Sequence, residues 1–268
     1  PYHETEHGVL YHGDCLDVMR EMEDNSIDLT VTSPPYDNLR DYNGYVFDFD
    51  GIAQELFRIT KVGGVVVWVV NDATVNGSET GTSFKQALYF KEIGFNLHDT
   101  MIYQKNSYPF PPSNRYFGVF EYMFVLSVGN PKTTNLKKVK TIGKKCTQST
   151  SRQADGSIEA MKYELGKDER VKDNVWKYDV GYGKSSKDKR QFEHPATFPE
   201  QLAIDHILSW SNANDTILDC FMGSGTVGIA SIRTNRKYIG IDISSEYLDI
   251  AARRIDAELE QTNFLRDL

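Results

Sequence analysis

Six consecutive apolar residues, Val65-Val-Val-Trp-Val-Val70, constrain this chain more than any other feature. A strand with one wet face alternates apolar and polar residues, because successive side chains point to opposite faces. An unbroken run of β-branched and aromatic residues must be covered on both faces, as a central strand. Helices supply that cover, and the sequence alternates them with strands. Apolar spacing predicts helices over Cys15 to Met22, Ile52 to Thr60, Ser83 to Ile93, Pro199 to Trp210, Ser224 to Arg233 and Ser245 to Glu260. Strands are expected at Asp28 to Thr32, Val65 to Val70, Leu97 to Gln104, Tyr122 to Val128, Thr216 to Cys220 and Tyr238 to Ile241. Such alternation predicts an α/β fold with a mostly parallel sheet and right-handed crossovers. Leu97 to Gln104 and Tyr122 to Val128 have no clear helix between them, which predicts an antiparallel hairpin at one edge. There are no internal repeats.

The strand Asp28-Leu-Thr-Val-Thr32 runs into Ser33-Pro34-Pro35-Tyr36. Two successive prolines remove two backbone N–H donors and hold both φ angles at about −65°. The ladder cannot continue, so the carbonyls and the Ser33 hydroxyl face outward. With Tyr36 alongside, the tetrapeptide is a rigid acceptor cluster next to a stacking platform. That equipment suits a flat heterocycle held by its exocyclic amino group. The tetrapeptide alone equally fits a plain Pro-Pro turn leaving a sheet.

Far downstream, Thr216-Ile-Leu-Asp219-Cys-Phe-Met-Gly223-Ser-Gly225-Thr-Val-Gly228 reads as a buried strand, a glycine turn and a helix start. Lys237 to Asp242 and the following helix repeat the unit. Gly223, Gly225 and Gly228 spell GxGxxG, with Asp242 about as far on as the acid that binds a ribose hydroxyl in dinucleotide folds. A dinucleotide domain therefore competes on this segment. Asp219, however, precedes the glycines, where its charge would oppose a pyrophosphate. An acid there suits a ligand with an ammonium group. S-adenosylmethionine has one, together with a ribose for Asp242.

Taken together, these segments resemble the amino-methylating DNA methyltransferases of beta type, whose catalytic motif comes first and cofactor motif last. The resemblance covers nearly the whole chain. Gly13-Asp14-Cys15 resembles the segment that contacts the cofactor adenine, and Thr32 to Tyr36 the catalytic motif. Glu55 to Gly64 and Val65 to Asp72 resemble the next helix and strand, and Asn114 to Ser127 the late hairpin strand. His194-Pro-Ala-Thr-Phe-Pro199 resembles the motif ahead of the glycine turn. The resemblance implies a Rossmann-like methyltransferase fold, a mostly parallel mixed sheet with an antiparallel edge hairpin, and a basic inserted target-recognition region. It also implies S-adenosyl-L-methionine as cofactor and no metal. The implied catalytic residues are Ser33, Pro34, Pro35 and Tyr36. The implied cofactor residues are Asp14, Thr32, His194, Asp219, Phe221, Gly223, Gly225, Thr226 and Asp242. Three of these also have structural readings: Asp14 as a helix N-cap, Asp219 as a satisfied strand-end carboxylate, and His194 as a residue orienting a helix start.

The implied chemistry is direct transfer. An exocyclic amine is a poor nucleophile because its lone pair is delocalised into the ring. Acceptors at Ser33 Oγ and the Pro34 carbonyl would favour a pyramidal nitrogen with that lone pair available. The base must leave the duplex at a cost of a few kcal/mol, and stacking on Tyr36 would return about 1–3 kcal/mol. The loop from Asp37 to Asp50 is expected to move over the flipped base or to touch the DNA backbone, although its acidity opposes strong phosphate contact. Cys15 and Cys220 lie in cofactor-side motifs, which argues against carbon-5 methylation. In the resembled family a serine at the first motif position goes with cytosine N4, and aspartate or asparagine with adenine N6. Cytosine N4 is thus implied and adenine N6 is the alternative, since both bases offer the same kind of amine. A nicotinamide-dependent oxidoreductase, a catalytically silent DNA-binding protein and an RNA or protein amine methyltransferase stay open on the residues alone.

Net charge is −8, which looks wrong for a DNA binder until it is mapped. Lys132 to Arg190 holds sixteen Lys and Arg against eight Asp and Glu, a surplus of eight positive charges. Interleaved with Tyr163, Trp176, Tyr178 and Tyr182, this window is expected to meet DNA phosphate and bases. The corresponding organisation is 1–131 as the catalytic half, 132–190 as the target-recognition insertion and 191–268 as the cofactor half. Double-stranded DNA is the expected partner, with a homodimer and a cognate restriction endonuclease as further candidates. Three cysteines without CxxC spacing, and no long apolar run or signal pattern, point to a cytoplasmic protein with no membrane association.

Overall fold

The computed structural model describes residues 1–35, 47–106, 114–140, 148–162, 168–181 and 198–266. The chain forms two units, one of Pro1–Asn135 with Asn174–Leu268, the other of Leu136–Asp173. In chain order the first unit begins with β1 (His3–Thr5), β2 (Gly8–His12), α1 (Cys15–Arg20), β3 (Ile27–Thr32), α2 (Phe49–Ile59) and β4 (Thr60–Val70). A small hairpin of β5 (Thr74–Val75) and β6 (Ser78–Glu79) follows, then α3 (Thr82–Glu92), β7 (Asn96–Lys105) and β8 (Phe120–Ser127). The second unit holds β9 (Lys138–Lys140), β10 (Gln148–Arg152), β11 (Ile158–Lys162) and β12 (Glu169–Val171). The chain returns through β13 (Val175–Tyr178), α4 (Glu200–Trp210), β14 (Thr216–Asp219), α5 (Thr226–Arg233), β15 (Lys237–Asp242) and α6 (Ser245–Arg266).

Nine strands make one sheet in the order β1-β2-β15-β14-β3-β4-β8-β7-β13. From β2 to β4 all neighbours are parallel. β8 is antiparallel to both β4 and β7, and β13 lies parallel on the outside of β7. The expected antiparallel pair therefore forms, but β13 covers its outer side and is the edge.

The apolar run in β4 behaves as its composition demands. Val66, Trp68 and Val70 pack with α1, α2 and α3 through Met19, Leu56 and Phe90. Val65, Val67 and Val69 pack on the opposite face with Leu202 and Ile207 of α4 and Val227 and Ala230 of α5. Each such side chain contributes roughly 1.5–3 kcal/mol relative to exposure. α6 joins α5 through Leu248, Ala251 and Ile255, which meet Leu10 and Tyr238. The sheet is thus sandwiched between two helical layers.

The second unit is two short antiparallel ladders, β10 with β11 and β9 with β12. It is narrower than the basic window from 132 to 190. Trp176 and Tyr178, expected among the aromatic residues that meet DNA, instead belong to the main unit. They alternate inward on β13 and are buried, while Val175 and Lys177 face out. Tyr178 Oη donates to Asp205 Oδ2 on α4 at 2.8 Å. Tyr163 and Tyr182 lie outside the described residues.

Candidate active site

In a parallel sheet the carboxyl ends of adjacent strands share one edge, and ligands of doubly wound folds gather there. Here that edge carries Thr32 at the end of β3 with Ser33 after it, Asp219 at the end of β14, Asp242 at the end of β15 and Gly13-Asp14 after β2. The central observation is one hydrogen bond. Thr32 Oγ1 donates to Asp219 Oδ1 at 2.6 Å across 187 residues of sequence, because β3 and β14 are sheet neighbours. It ties the Ser33-Pro34 segment to the acid ahead of the glycine turn.

Asp219 is 2% exposed, and its Oδ1 also accepts from Phe221 N at 3.1 Å. Burial pushes its carboxyl up to about 7, against the opposing pull of these two donors. An acid so placed is poised to ionise when a cation arrives. Asp242 is also raised by burial. Its Oδ2 accepts from Gly223 N at 2.7 Å and its Oδ1 from Ser244 N at 2.9 Å, which ties the turn after β14 to the end of β15. A carboxylate has about four acceptor positions, so these backbone partners leave capacity for ligand hydroxyls. Gly13 N donates to Asp242 O at 3.0 Å and brings the β2 end alongside. Asp14 caps α1, its Oδ1 accepting from Leu16 N at 2.8 Å, so the structural reading of this residue is realised.

The glycine turn is firmly held. Gly223 and Gly225 have φ of 49° and 83°, a region where side chains with a Cβ are strained. A Cβ on Gly225 would also lie 2.9 Å from Ala251 Cβ and 3.0 Å from Ala251 Cα, so the missing side chain lets α5 and α6 approach. Gly225→Ala is expected to lower the unfolding free energy by about 2–4 kcal/mol, from the left-handed φ and the overlap together, as read by chemical denaturation. Thr226 opens α5 and is buried. Phe221 packs against Trp68 and Phe47, with ring centroids 6.3 and 5.8 Å away.

Ser33 is partly buried, Pro34 buried and Pro35 partly buried. Tyr36, His194 and most of the loop from Asp37 to Asp50 lie outside the described residues. Trp68 and Phe47 were not anticipated beside Phe221; the only signal for Trp68 was its place in the apolar run. Asp72, just past β4, accepts from Ser83 N at 2.8 Å and Ser83 Oγ at 2.5 Å, and so secures the start of α3.

The donor set defines what this edge can take. One buried carboxylate, one partly buried carboxylate and backbone carbonyls accept hydrogen bonds and favour a cation with hydroxyl groups, which fits S-adenosylmethionine. A pyrophosphate would meet Asp219 and be repelled. Among the described residues there is no cluster of His, Cys, Asp or Glu arranged to hold a metal, and no helix long and apolar enough to cross a membrane. Cys15 and Cys220 are buried, and burial raises the Cys220 thiol well above its ordinary range.

Residues 27–253 match the N6/N4 methyltransferase family, described as DNA methylase. The chain is 58% identical over 237 residues to the orphan methyltransferase M.BamHII of Bacillus amyloliquefaciens, covering 87% of this chain and 89% of that one. It is 29% identical over 280 residues to the type II methyltransferase M.ScaI of Streptomyces caespitosus, covering 97% and 85%. Among solved structures, the PvuII DNA methyltransferase (cytosine-N4-specific) gives a TM-score of 0.69 at 20% identity over 95% of this chain and 88% of that one. The Thermus thermophilus protein TTHA0409, solved in complex with S-adenosyl-L-methionine, gives 0.63 at 24% identity over 93% of each chain. At these identities the structural likenesses speak for the fold.

Proposed function

The chain belongs to the N6/N4 family of DNA methylases, and from that premise we propose that it methylates the exocyclic N4 of cytosine in duplex DNA, using S-adenosylmethionine. The observation that carries this reading is the Thr32–Asp219 hydrogen bond, which sets an acceptor cluster for an amine against an acid suited to an ammonium group. Direct transfer needs the amine and the methyl donor side by side. When bound, the cofactor supplies an electrophilic methyl group on a sulfonium.

This chain's residues then do the positioning. Asp219 receives the ammonium group and Asp242 the ribose hydroxyls, with Asp14, Phe221, Gly223, Gly225 and Thr226 around them and His194 near the cofactor carboxylate. Thr32 orients Asp219. Ser33 Oγ and the Pro34 carbonyl accept the two amine N–H groups, and Tyr36 stacks on the flipped ring while Pro35 keeps the turn rigid. Positive charge developing on the amine nitrogen meets acceptors that are already aligned, so little reorganisation is needed. Duplex DNA is the partner, met by the basic residues between 132 and 190. A second copy of the chain and a cognate nuclease are further partners this reading admits, in the reducing setting of the cytoplasm.

The preference for cytosine rests on Ser33; adenine N6 is the alternative. Protein incubated with unmethylated genomic DNA and isotopically labelled S-adenosylmethionine is expected to give labelled N4-methylcytosine after digestion to nucleosides and mass spectrometry. Labelled N6-methyladenine would keep the mechanism and overturn the base. No label in DNA would overturn the substrate class.

A further inference from the structure

Beneath the glycine turn lies an ionic chain, buried at Arg254 and Glu200 and open to solvent at Arg233, that the proposed chemistry does not use. Arg254 on α6 is 1% exposed. Its Nη1 donates to the Ser224 carbonyl and, at 3.2 Å, to Ser224 Oγ. Its Nη2 donates to Glu200 Oε1 at 2.9 Å. Glu200 is the first residue of α4, and its Oε2 accepts from Arg233 Nη1 at 2.9 Å. Arg233, at the end of α5, in turn donates to both carboxylate oxygens of Glu258 on α6, at 2.8 and 2.7 Å.

Ser224 is the central residue of the turn, and its peptide plane is fixed at both ends. The carbonyl is held by Arg254, and the Gly225 N–H on the same peptide donates to Met222 O at 3.0 Å. Gly223 N reaches Asp242, Met222 N reaches Ile241 O at 2.8 Å and Phe221 N reaches Asp219. Every one of these anchors except Arg254 belongs to the strand ends or the turn itself. Arg254 is the one among them that links the turn to α4. A guanidinium suits this task because its planar fork serves two acceptors at once, and a lysine ammonium on a thinner stem cannot reproduce both contacts in one geometry.

We propose that Arg254 is a positioning residue for the methyl-donor pocket: held by Glu200, it sets the Ser224 peptide so that the turn is ready for the cofactor. This rests on the glycine turn being the cofactor loop. A residue that merely stabilised the fold would change melting temperature and leave ligand affinity alone.

The test separates the two in the ligand-free and ligand-bound protein. Arg254→Lys is expected to bind S-adenosylhomocysteine about tenfold more weakly by calorimetry, the scale of one lost charge-assisted hydrogen bond. Amide exchange of peptides covering residues 219–226 should quicken in the ligand-free protein, while binding to a DNA duplex stays within about twofold of wild type. Arg233→Lys loosens the same network away from the turn, so it should lower the melting temperature with affinity unchanged. If Arg254→Lys does not fold, Glu200→Gln, which leaves one carbonyl oxygen for two guanidinium groups, should give the same signature at reduced size. Wild-type protein that fails to bind S-adenosylhomocysteine would overturn the cofactor assignment. Wild-type binding matched by Arg254→Lys, or equal losses in Arg254→Lys and Arg233→Lys, would overturn the positioning role alone.

Discussion

Asp219→Asn is expected to bind S-adenosylhomocysteine about 100-fold more weakly than wild type at pH 8, with its fold intact. The substitution is nearly isosteric. Its amide oxygen can still accept from Thr32 Oγ1 and Phe221 N, the two contacts that hold the carboxylate in place. What disappears is the negative charge facing the ammonium group, and removing one partner of a buried, hydrogen-bonded charge pair costs about 2–5 kcal/mol. Calorimetric titration of both proteins checks the loss. Equal affinities would mean that the ammonium group is held elsewhere.

The same residue predicts a pH profile. Burial raises its carboxyl to about 7 in the ligand-free protein. Because the folded-state value lies above the unfolded one, the protonated carboxyl stabilises the fold fully below about pH 4, and that contribution is lost as pH rises through about 7. Ligand binding runs the other way, since an ammonium group needs the carboxylate. Wild-type affinity should therefore fall as pH drops below about 7, by up to about tenfold per unit, with one proton released on binding. In Asp219→Asn this dependence should vanish. A wild-type affinity flat from pH 5 to 8 would count against a neutral resting acid.

Ser33→Ala is expected to reduce the rate of methyl transfer about 100- to 1000-fold, the loss typical of one preorganised polar group removed from a reacting centre. Affinity for S-adenosylhomocysteine should hold within about twofold, because Thr32 and Asp219, not Ser33, form the bond between the two half-sites. The split between turnover and cofactor affinity is the informative readout, obtained from single-turnover rates with a labelled methyl donor alongside calorimetry. An unchanged rate would leave the Pro34 carbonyl as the working acceptor and remove the argument for cytosine that begins from Ser33.

The sequence made the central architecture legible where patterning was unambiguous. The run from Val65 to Val70 announced a strand covered on both faces, and its side chains divide between two cores as alternation requires. The six helices stood out by their apolar spacing, even the six-residue α1. Three strands of the main sheet escaped notice, His3–Thr5, Gly8–His12 and Val175–Tyr178, as did the short ladders of β5 with β6 and of the second unit. Gly8–His12 is short and half polar, and it becomes a strand by pairing in parallel with Lys237–Asp242, a partner more than two hundred residues away. Val175–Tyr178 was hidden by the basic charge around it, although its inward Trp176 and Tyr178 alternate with Val175 and Lys177 as a strand at a covered edge should.

At the site, motif and spacing named the acids but not their connections. Nothing in the local sequence tells Thr32 that its acceptor is Asp219, because that bond exists only through the order of strands in the sheet. Arg253 and Arg254 look alike as neighbours in a charged helix. Helix rotation leaves Arg254 beneath the turn, while the Arg253 Nε donates to its own helix at Asp249 O. Which arginine matters is a property of three dimensions.

The contacts of the first strand with the last helix have a topological consequence. Tyr2 Oη donates to Asp249 Oδ1 at 2.5 Å, and His3 Nε2 lies 3.0 Å from Asp256 Oδ1, so the beginning of the described chain rests on α6. From Asp249 the helix runs seventeen residues further to Arg266, about 25 Å at the usual helical rise, a gap that a flexible linker can bridge. The chain could then be cut open in the turn from Gln153 to Ser157, where Gly156 has a φ of 85°. The permuted protein would read the glycine turn first and the Pro-Pro segment last, with every strand keeping its neighbours in the main sheet. Motif order along the chain is, for this fold, a choice of where to place the ends.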